Sequence, residues 1–203
     1  MVYLYSGTPG SGKSTHAAQS ILEAVRGQAP KWVLANFEVN LEILRDRKDY
    51  FRYVPNNELT VDNLCRFSKS VFQGKRIIEG GILLVVDEAQ LLFSPMAWQN
   101  TWAQGWLGFF TQHRKYGYDI ILITQVDRML NRQIRGIIEY EYIHRKVRNI
   151  GGFWGFVLSF FLGQFYCVET WYAVRDLRTG GHPMYYSKNA FKLFDTFKSW
   201  EGA

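Results

Sequence analysis

Short apolar runs recur along the chain, each closing on polar residues. Residues 2–5 are aromatic and β-branched and stop at Ser6-Gly7, the pattern of a buried strand. Trp32-Val-Leu-Ala-Asn-Phe37, just after Pro30, predicts a second strand. Ile82-Leu-Leu-Val-Val86 follows Gly80-Gly81 and is apolar throughout, as a central strand buried on both faces requires. Tyr118 to Gln125 predicts another, with Ile120 to Ile123 as its apolar body and Thr124-Gln125 as its polar end. Between these runs the period lengthens. His16 to Arg26 places Ala17, Ala18, Ile21, Leu22 and Val25 on one helix face. Thr60 to Phe72 predicts a further helix, with Asp62 and Asn63 near its start. Beyond Pro95, Trp98, Trp102, Trp106 and Phe109/Phe110 recur at helical spacing, a stripe expected to pack on the sheet. Leu41 to Arg52 is mixed and charged and shows no clear period. Strands alternating with helices predict an α/β fold. Its sheet should be mostly parallel, flanked by helices and wound right-handed, with the ligand at the carboxyl ends of the strands.

Residues 140–203 break that rhythm. Glu139 to Val147 alternates, and Phe153 to Tyr172 and Met184 to Phe194 are aromatic and β-branched with Gly and Asn separators. They predict a β-rich, hairpin-bearing extension of the sheet. One domain then spans 1–203, with 1–139 as its core and 140–203 as the extension. No internal repeat and no Pro- or Ser-rich linker marks a second domain. Ile150 to Val168 is 19 residues without a charge, long enough to span a bilayer. Its four glycines, Ser159, Gln164 and strand-like flanks favour a core hairpin instead.

Composition narrows the class. With 47% apolar and 21% charged residues over 203 positions, the chain has the surface to bury one full-sized core and is not disordered. The two cysteines, Cys65 and Cys167, are too few for a disulfide framework or a metal cluster and suit a reducing compartment. The net charge of +6 weakly favours an acidic partner, and basic residues thicken between Arg128 and Arg148.

The chemistry lies at the strand ends. Gly7-Thr8-Pro9-Gly10-Ser11-Gly12-Lys13-Ser14 fits the phosphate-binding pattern GxxxxGK[ST], with Thr15 behind it, between a strand and a helix as that motif requires. Glycines let successive N–H groups point at phosphate oxygens, and the helix N-terminus adds partial positive charge. Lys13 is placed to reach the β and γ phosphates, and the Ser14 hydroxyl to ligate Mg²⁺. The acid strand ends in Asp87-Glu88: Asp87 is the expected metal partner, and Glu88 the carboxylate that polarises an attacking water. Thr124 or Gln125 would stand beside the γ phosphate if their strand neighbours both the first strand and the acid strand. ATP and Mg²⁺ are therefore the expected cofactors. Because the loop begins at residue 7, no secretory signal fits ahead of it, and the region is expected to fold in the cytoplasm.

Together the phosphate loop near the amino end, LLVVDEAQ, His113-Arg114-Lys-Tyr-Gly117-Tyr-Asp119 running into IILITQ, and Phe194-Asp195-Thr196-Phe-Lys198 resemble the zonular occludens toxin family. That family includes the assembly ATPases of filamentous phages. The resemblance implies a P-loop NTPase domain on the cytoplasmic face of the bacterial inner membrane. A spanning helix would follow beyond residue 203. It implies a motor that extrudes phage single-stranded DNA and coat, acting as a ring or other homo-oligomer, with phage coat and assembly proteins as partners. Gly7 to Ser14, Asp87-Glu88 and Gln125 match the family's phosphate loop, acid strand and polar strand end. An arginine supplied in trans is common in such rings, and Arg114, Arg128, Arg132 and Arg135 are the candidates. The basic stretch from Arg128 to Arg148 could meet single-stranded DNA without reading sequence. Two other readings fit the residues: a small P-loop nucleotide kinase, and a nucleotide-gated binding module with little turnover.

Overall fold

The computed structural model describes residues 1–97, 101–147, 165–172 and 177–194. Along the chain run β1 (Val2–Gly7), α1 (Lys13–Arg26), β2 (Trp32–Ala35), β3 (Phe51–Tyr53), α2 (Val61–Phe72), β4 (Ile82–Val86), α3 (Gln90–Phe93) and α4 (Thr101–Gln112). There follow β5 (Tyr118–Ile123), α5 (Arg132–Arg135), β6 (Tyr140–Lys146), β7 (Phe165–Trp171), β8 (Leu177–Met184) and α6 (Lys188–Leu193). The strands form one sheet in the order β3-β2-β4-β5-β1-β6-β7-β8. Pairing is parallel from β3 to β6, and antiparallel between β6 and β7 and between β7 and β8.

Crossovers between parallel neighbours leave helices on both faces, so the central strands are buried on both sides. All five residues of β4 are buried. On one face, α1 contributes Ala17, Ala18, Ile21, Leu22 and Val25, the helix stripe expected from spacing, and these meet Val33, Leu83, Val85 and Ile121. On the other face, Trp106, Phe109 and Phe110 of α4 pack with Phe93, Leu64 and Phe72 against Leu84, Ile120 and Leu122. Trp106, Phe109 and Phe110 of the aromatic stripe therefore belong to the core; Trp98 and the Trp102 side chain lie outside the described residues. Thr60 caps α2 by accepting from the Asn63 N–H at 3.3 Å, which fixes that helix start where polar residues precede the apolar face.

Three segments differ from expectation or complete it. Leu41–Tyr50, without a readable period, forms 3₁₀ turns broken at Arg45 (φ 55°) and leads into β3. Met184 to Phe194 is not strand throughout. Its middle is α6, whose N-terminus is capped by the Ser187 hydroxyl accepting from Ala190 N–H at 3.2 Å. α6 buries Ala190 and Leu193 beside α1, a tertiary contact that overrides the local β-like composition. β8 contains Gly180, Gly181 and Pro183 and has no alternation of its own; its register comes from β7. Most of the uncharged run, residues 150–164, lies outside the described residues. Its last four positions begin β7, with Phe165 opposite Lys146 on β6. No helix among the described residues is long and apolar enough to cross a membrane.

Candidate functional site

The phosphate loop joins β1 to α1 at the carboxyl end of the sheet. Gly7, Gly10 and Gly12 hold φ of 141°, 68° and 97°, a region that side chains resist. Space forbids a side chain as well. A Cβ on Gly7 would stand 2.4 Å from the His144 carbonyl oxygen, and one on Gly12 would stand 2.8 Å from the Phe165 ring. β6 and β7 thus buttress the loop from outside the nucleotide core. The Ser11 hydroxyl is 1% exposed and has no hydrogen-bond partner among the described residues. Lys13 Nζ donates to the carbonyls of Gly7 at 2.7 Å and Thr8 at 3.1 Å. An orphaned hydroxyl, a closely built glycine cradle and an ammonium curled over it are what a phosphate site needs.

Facing the loop is the end of β4. Asn36, just past β2, grips the Asp87 peptide from both sides: Asp87 N–H donates to Asn36 Oδ1 at 2.7 Å, and Asn36 Nδ2 donates to the Asp87 carbonyl at 2.9 Å. Burial pushes the Asp87 carboxyl up to about 6, against the pull of the Glu88 N–H and of Lys13. Burial likewise lowers the Lys13 ammonium, opposed by Asp87 and Glu88. Each group therefore feels the other, yet no ion pair joins them among the described residues. Glu88 is exposed, with φ 46°, a left-handed backbone at the residue read as the water-polarising carboxylate.

β5 lies between β1 and β4, the condition set for the polar strand end. The Gln125 carbonyl accepts from Gly7 N–H at 3.1 Å, and the Gln125 side chain is exposed. Thr124 turns inward, 1% exposed, and donates to Gln90 Oε1 at 2.9 Å. Ser14 and Thr15 are half-buried at the start of α1. Lys13, Ser14, Asp87, Glu88 and Gln125 therefore share the carboxyl end of one sheet.

The arginines divide. Arg114 sits at the opposite end of the sheet, paired with Glu139 at 3.1 Å and Glu79 at 3.2 Å. Arg135 pairs with Asp127 at 3.6 Å. Arg128 and Arg132 are exposed and form no ion pair among the described residues.

Sequence reasoning missed three contributors. Gln90 is one. Lys146, two positions beyond the β6 partner of Gly7, is another: its Nζ lies 3.4 Å from where a Gly10 Cβ would stand. The third is a histidine pair beneath the loop, His16 Nδ1 to His144 Nε2 at 2.8 Å. His144 Nδ1 donates to the Ser6 carbonyl at 3.1 Å; a carbonyl only accepts, so His144 Nε2 accepts from His16. Burial lowers His16 to about 3 and His144 to about 4, so both are neutral. Cys167 completes a trio whose ligating atoms lie within 4.8 Å of one another. The hydrogen bonds already use both facing nitrogens, and burial lifts the Cys167 thiol to about 12. Only the parallel register of β6 on β1, which no motif announces, could have revealed these partners.

A cavity of about 420 Å³ lies against the α1 face of the sheet, lined by residues including Tyr5, Ser20, Lys31 and Asp119. It lacks Lys13, Asp87 and Glu88; charge chemistry, not the size of the hollow, locates the site.

Known structures share the architecture. The N-terminal domain of zonular occludens toxin from Neisseria meningitidis matches with TM-score 0.59 at 17% identity, over 96% of this chain and 98% of that one. The genome packaging NTPase B204 from Sulfolobus turreted icosahedral virus 2, in complex with ATP-γS, matches with TM-score 0.59 at 15% identity, over 91% and 98%. B204 described as the DNA-packaging ATPase from Sulfolobus turreted icosahedral virus matches with TM-score 0.60 at 14% identity, again over 91% and 98%. Among curated proteins, none matches in sequence. These likenesses fix the fold as that of P-loop NTPases. The family model described as "Zonular occludens toxin (Zot)" matches residues 1–199, nearly the whole chain, and the chain belongs to that family.

Proposed function

We propose that the chain binds ATP with Mg²⁺ and hydrolyses it, as the nucleotide-driven part of a phage assembly and export machine. The observation that carries this reading is the convergence of Lys13, Asp87 and Glu88 at the carboxyl ends of β1 and β4, close enough to perturb one another and joined by no ion pair. The loop N–H groups and Lys13 bind the phosphates. Ser14 and, through water, Asp87 would hold Mg²⁺, which when bound shields charge on the β and γ oxygens. Glu88 takes the proton of an attacking water, aimed from the exposed side of the site. Most of the barrier reduction then comes from placement and preorganised charge.

Family membership supports the wider reading: a homo-oligomer at the cytoplasmic face of an inner membrane, acting on phage single-stranded DNA and coat. B204, of the same fold, is a genome packaging NTPase. Arg128 and Arg132 are the arginines left to act in trans or to meet DNA phosphates, because carboxylates already hold Arg114 and Arg135.

Phosphate release from ATP without an acceptor tests the proposal, with single-stranded DNA added in parallel. The wild-type chain should release phosphate only with Mg²⁺. Glu88→Gln should keep ATP affinity within about threefold and lose roughly 10²–10⁴ in rate. Unchanged turnover by the variant removes Glu88 from its role. Binding without release by the wild type under every condition leaves a nucleotide-gated module.

A further inference from the structure

Glu88 is not free to aim itself. Its backbone sits at φ 46°, and its N–H donates to Asp87 Oδ1 at 2.8 Å, fixing where the side chain leaves the chain. Gln90 Nε2 donates to Glu88 Oε2. Gln90 Oε1 in turn accepts from the Thr124 hydroxyl at 2.9 Å. Thr124 is held by its own N–H, which donates to the Tyr5 carbonyl on β1 at 3.0 Å, while the next carbonyl, Gln125, accepts from Gly7 of the phosphate loop at 3.1 Å. Ala89 N–H closes the circuit by donating to Ile123 at 2.9 Å. The end of β5 therefore ties the two together: its Gln125 carbonyl holds the phosphate loop, and its neighbouring Thr124 hydroxyl reaches the carboxylate through Gln90.

We propose that Gln90 is a positioning residue for hydrolysis, a side-chain bridge by which Thr124 at the end of β5 sets the aim of the Glu88 carboxylate. This rests on the reading of Glu88 as the group that polarises water. The chemistry of an amide suits the task. Its N–H donor orients one carboxylate oxygen and leaves the other to accept a proton. Its carbonyl reports the position of a hydroxyl on the neighbouring strand. Any shift of Thr124 when phosphate fills the loop is transmitted through two hydrogen bonds to Glu88. A glutamine serving only to start α3 would need neither contact.

The test is a double-mutant cycle on turnover, using the full chain, Mg²⁺ and ATP. Gln90→Leu should lower kcat about tenfold or more, a loss expected from misaiming, with KM for ATP within about twofold. Thr124→Val should do the same, and Thr124→Ser, which keeps the hydroxyl, should restore most of the rate. The Gln90→Leu/Thr124→Val double variant should be no slower than the slower single variant. Multiplying losses, an effect on KM alone, or wild-type rates would overturn the bridge. A second measurement does not need turnover. The Gln90 side-chain amide resonances should move in Thr124→Val and in Glu88→Gln. Resonances indifferent to both substitutions reject the bridge, whereas shifted resonances in a chain that never hydrolyses ATP would reject the hydrolase reading and retain the contact.

Discussion

The two ends of the sheet handle charge in opposite ways. At the amino ends of the strands, charges meet partners. The Met1 ammonium meets Asp119 at 2.7 Å, Lys31 meets the same carboxylate at 3.2 Å, and Arg114 bridges Glu139 and Glu79. At the carboxyl ends, Lys13 is satisfied by carbonyls while Asp87 and Glu88 stand opposite without an ion pair. Both ends belong to the same strands, so the difference is not one of fold. Paired charges close a surface. Charges held near one another by burial, glycine geometry and backbone clamps, yet joined by no ion pair, keep interaction free energy in reserve for a ligand.

Several substitutions break or sharpen that contrast. The largest effect should come from Lys13→Ala. Two charge-assisted hydrogen bonds to phosphate are then lost, so ATP affinity should fall about 100-fold or more by fluorescent-nucleotide titration. The melting temperature should move by about 4 °C or less, because losing the hydrogen bonds to the Gly7 and Thr8 carbonyls is offset by removing a partly buried ammonium. Gly12→Ala comes next. It forces a side chain at φ 97° into the Phe165 ring and should cost about 1–3 kcal/mol in urea unfolding. In a Phe165→Ala background, itself destabilised by the cavity, Gly12→Ala should cost only the backbone part, a separation that a purely local strain would not show.

Acid should strike the carboxyl end first. His16 and His144 have folded values near 3 and 4, below the ordinary 6.5, so the unfolded chain binds protons that the folded chain refuses. Their contribution is whole above pH 6.5 and is lost as pH falls toward 4. The slope is up to about 1.4 kcal/mol per pH unit for each imidazole. Asp87, lifted to about 6, opposes one of them between pH 6 and 3.8, because the folded chain holds a proton there that the unfolded chain releases, and the two imidazoles together outweigh it. Asp119 works lower. Burial raises it, but the Met1 ammonium and Lys31 together bring it net below 3.8, so its contribution persists above that value and fades only beneath it. Amide protection factors, taken against the intrinsic exchange rate at each pH, should therefore fall between pH 6.5 and 4 around the phosphate loop while the Asp119 end stays protected. An equal loss of protection at both ends would erase the distinction. The smallest effect should be Asp119→Asn, about 1 kcal/mol of stability with kcat unchanged.

The parts legible in the sequence are those that local physics specifies. β4 reads as buried because every residue in it is apolar, and α1 because its apolar positions fall at helical spacing. Gly7 to Ser14 and Asp87-Glu88 read as a site because phosphate and metal demand those residue types. What escaped depends on distant partners. The apolar pattern of α6 is too short to declare a period, and only α1 decides its conformation. β8 takes its strand form from pairing. His144 and Lys146 act on the loop only through a parallel register set more than a hundred residues away, and Gln90 acquires meaning only once Thr124 lies beside it.

The most direct measurement replaces Mg²⁺ with Mn²⁺ and follows its bound fraction by electron paramagnetic resonance. If the carboxyl end of the sheet is a metal-nucleotide site, tight Mn²⁺ binding should appear only when ATP is present. Ser14→Ala and Asp87→Asn should each weaken it by about tenfold or more. Mn²⁺ held equally well without ATP, or by both variants as by the wild type, would contradict the account.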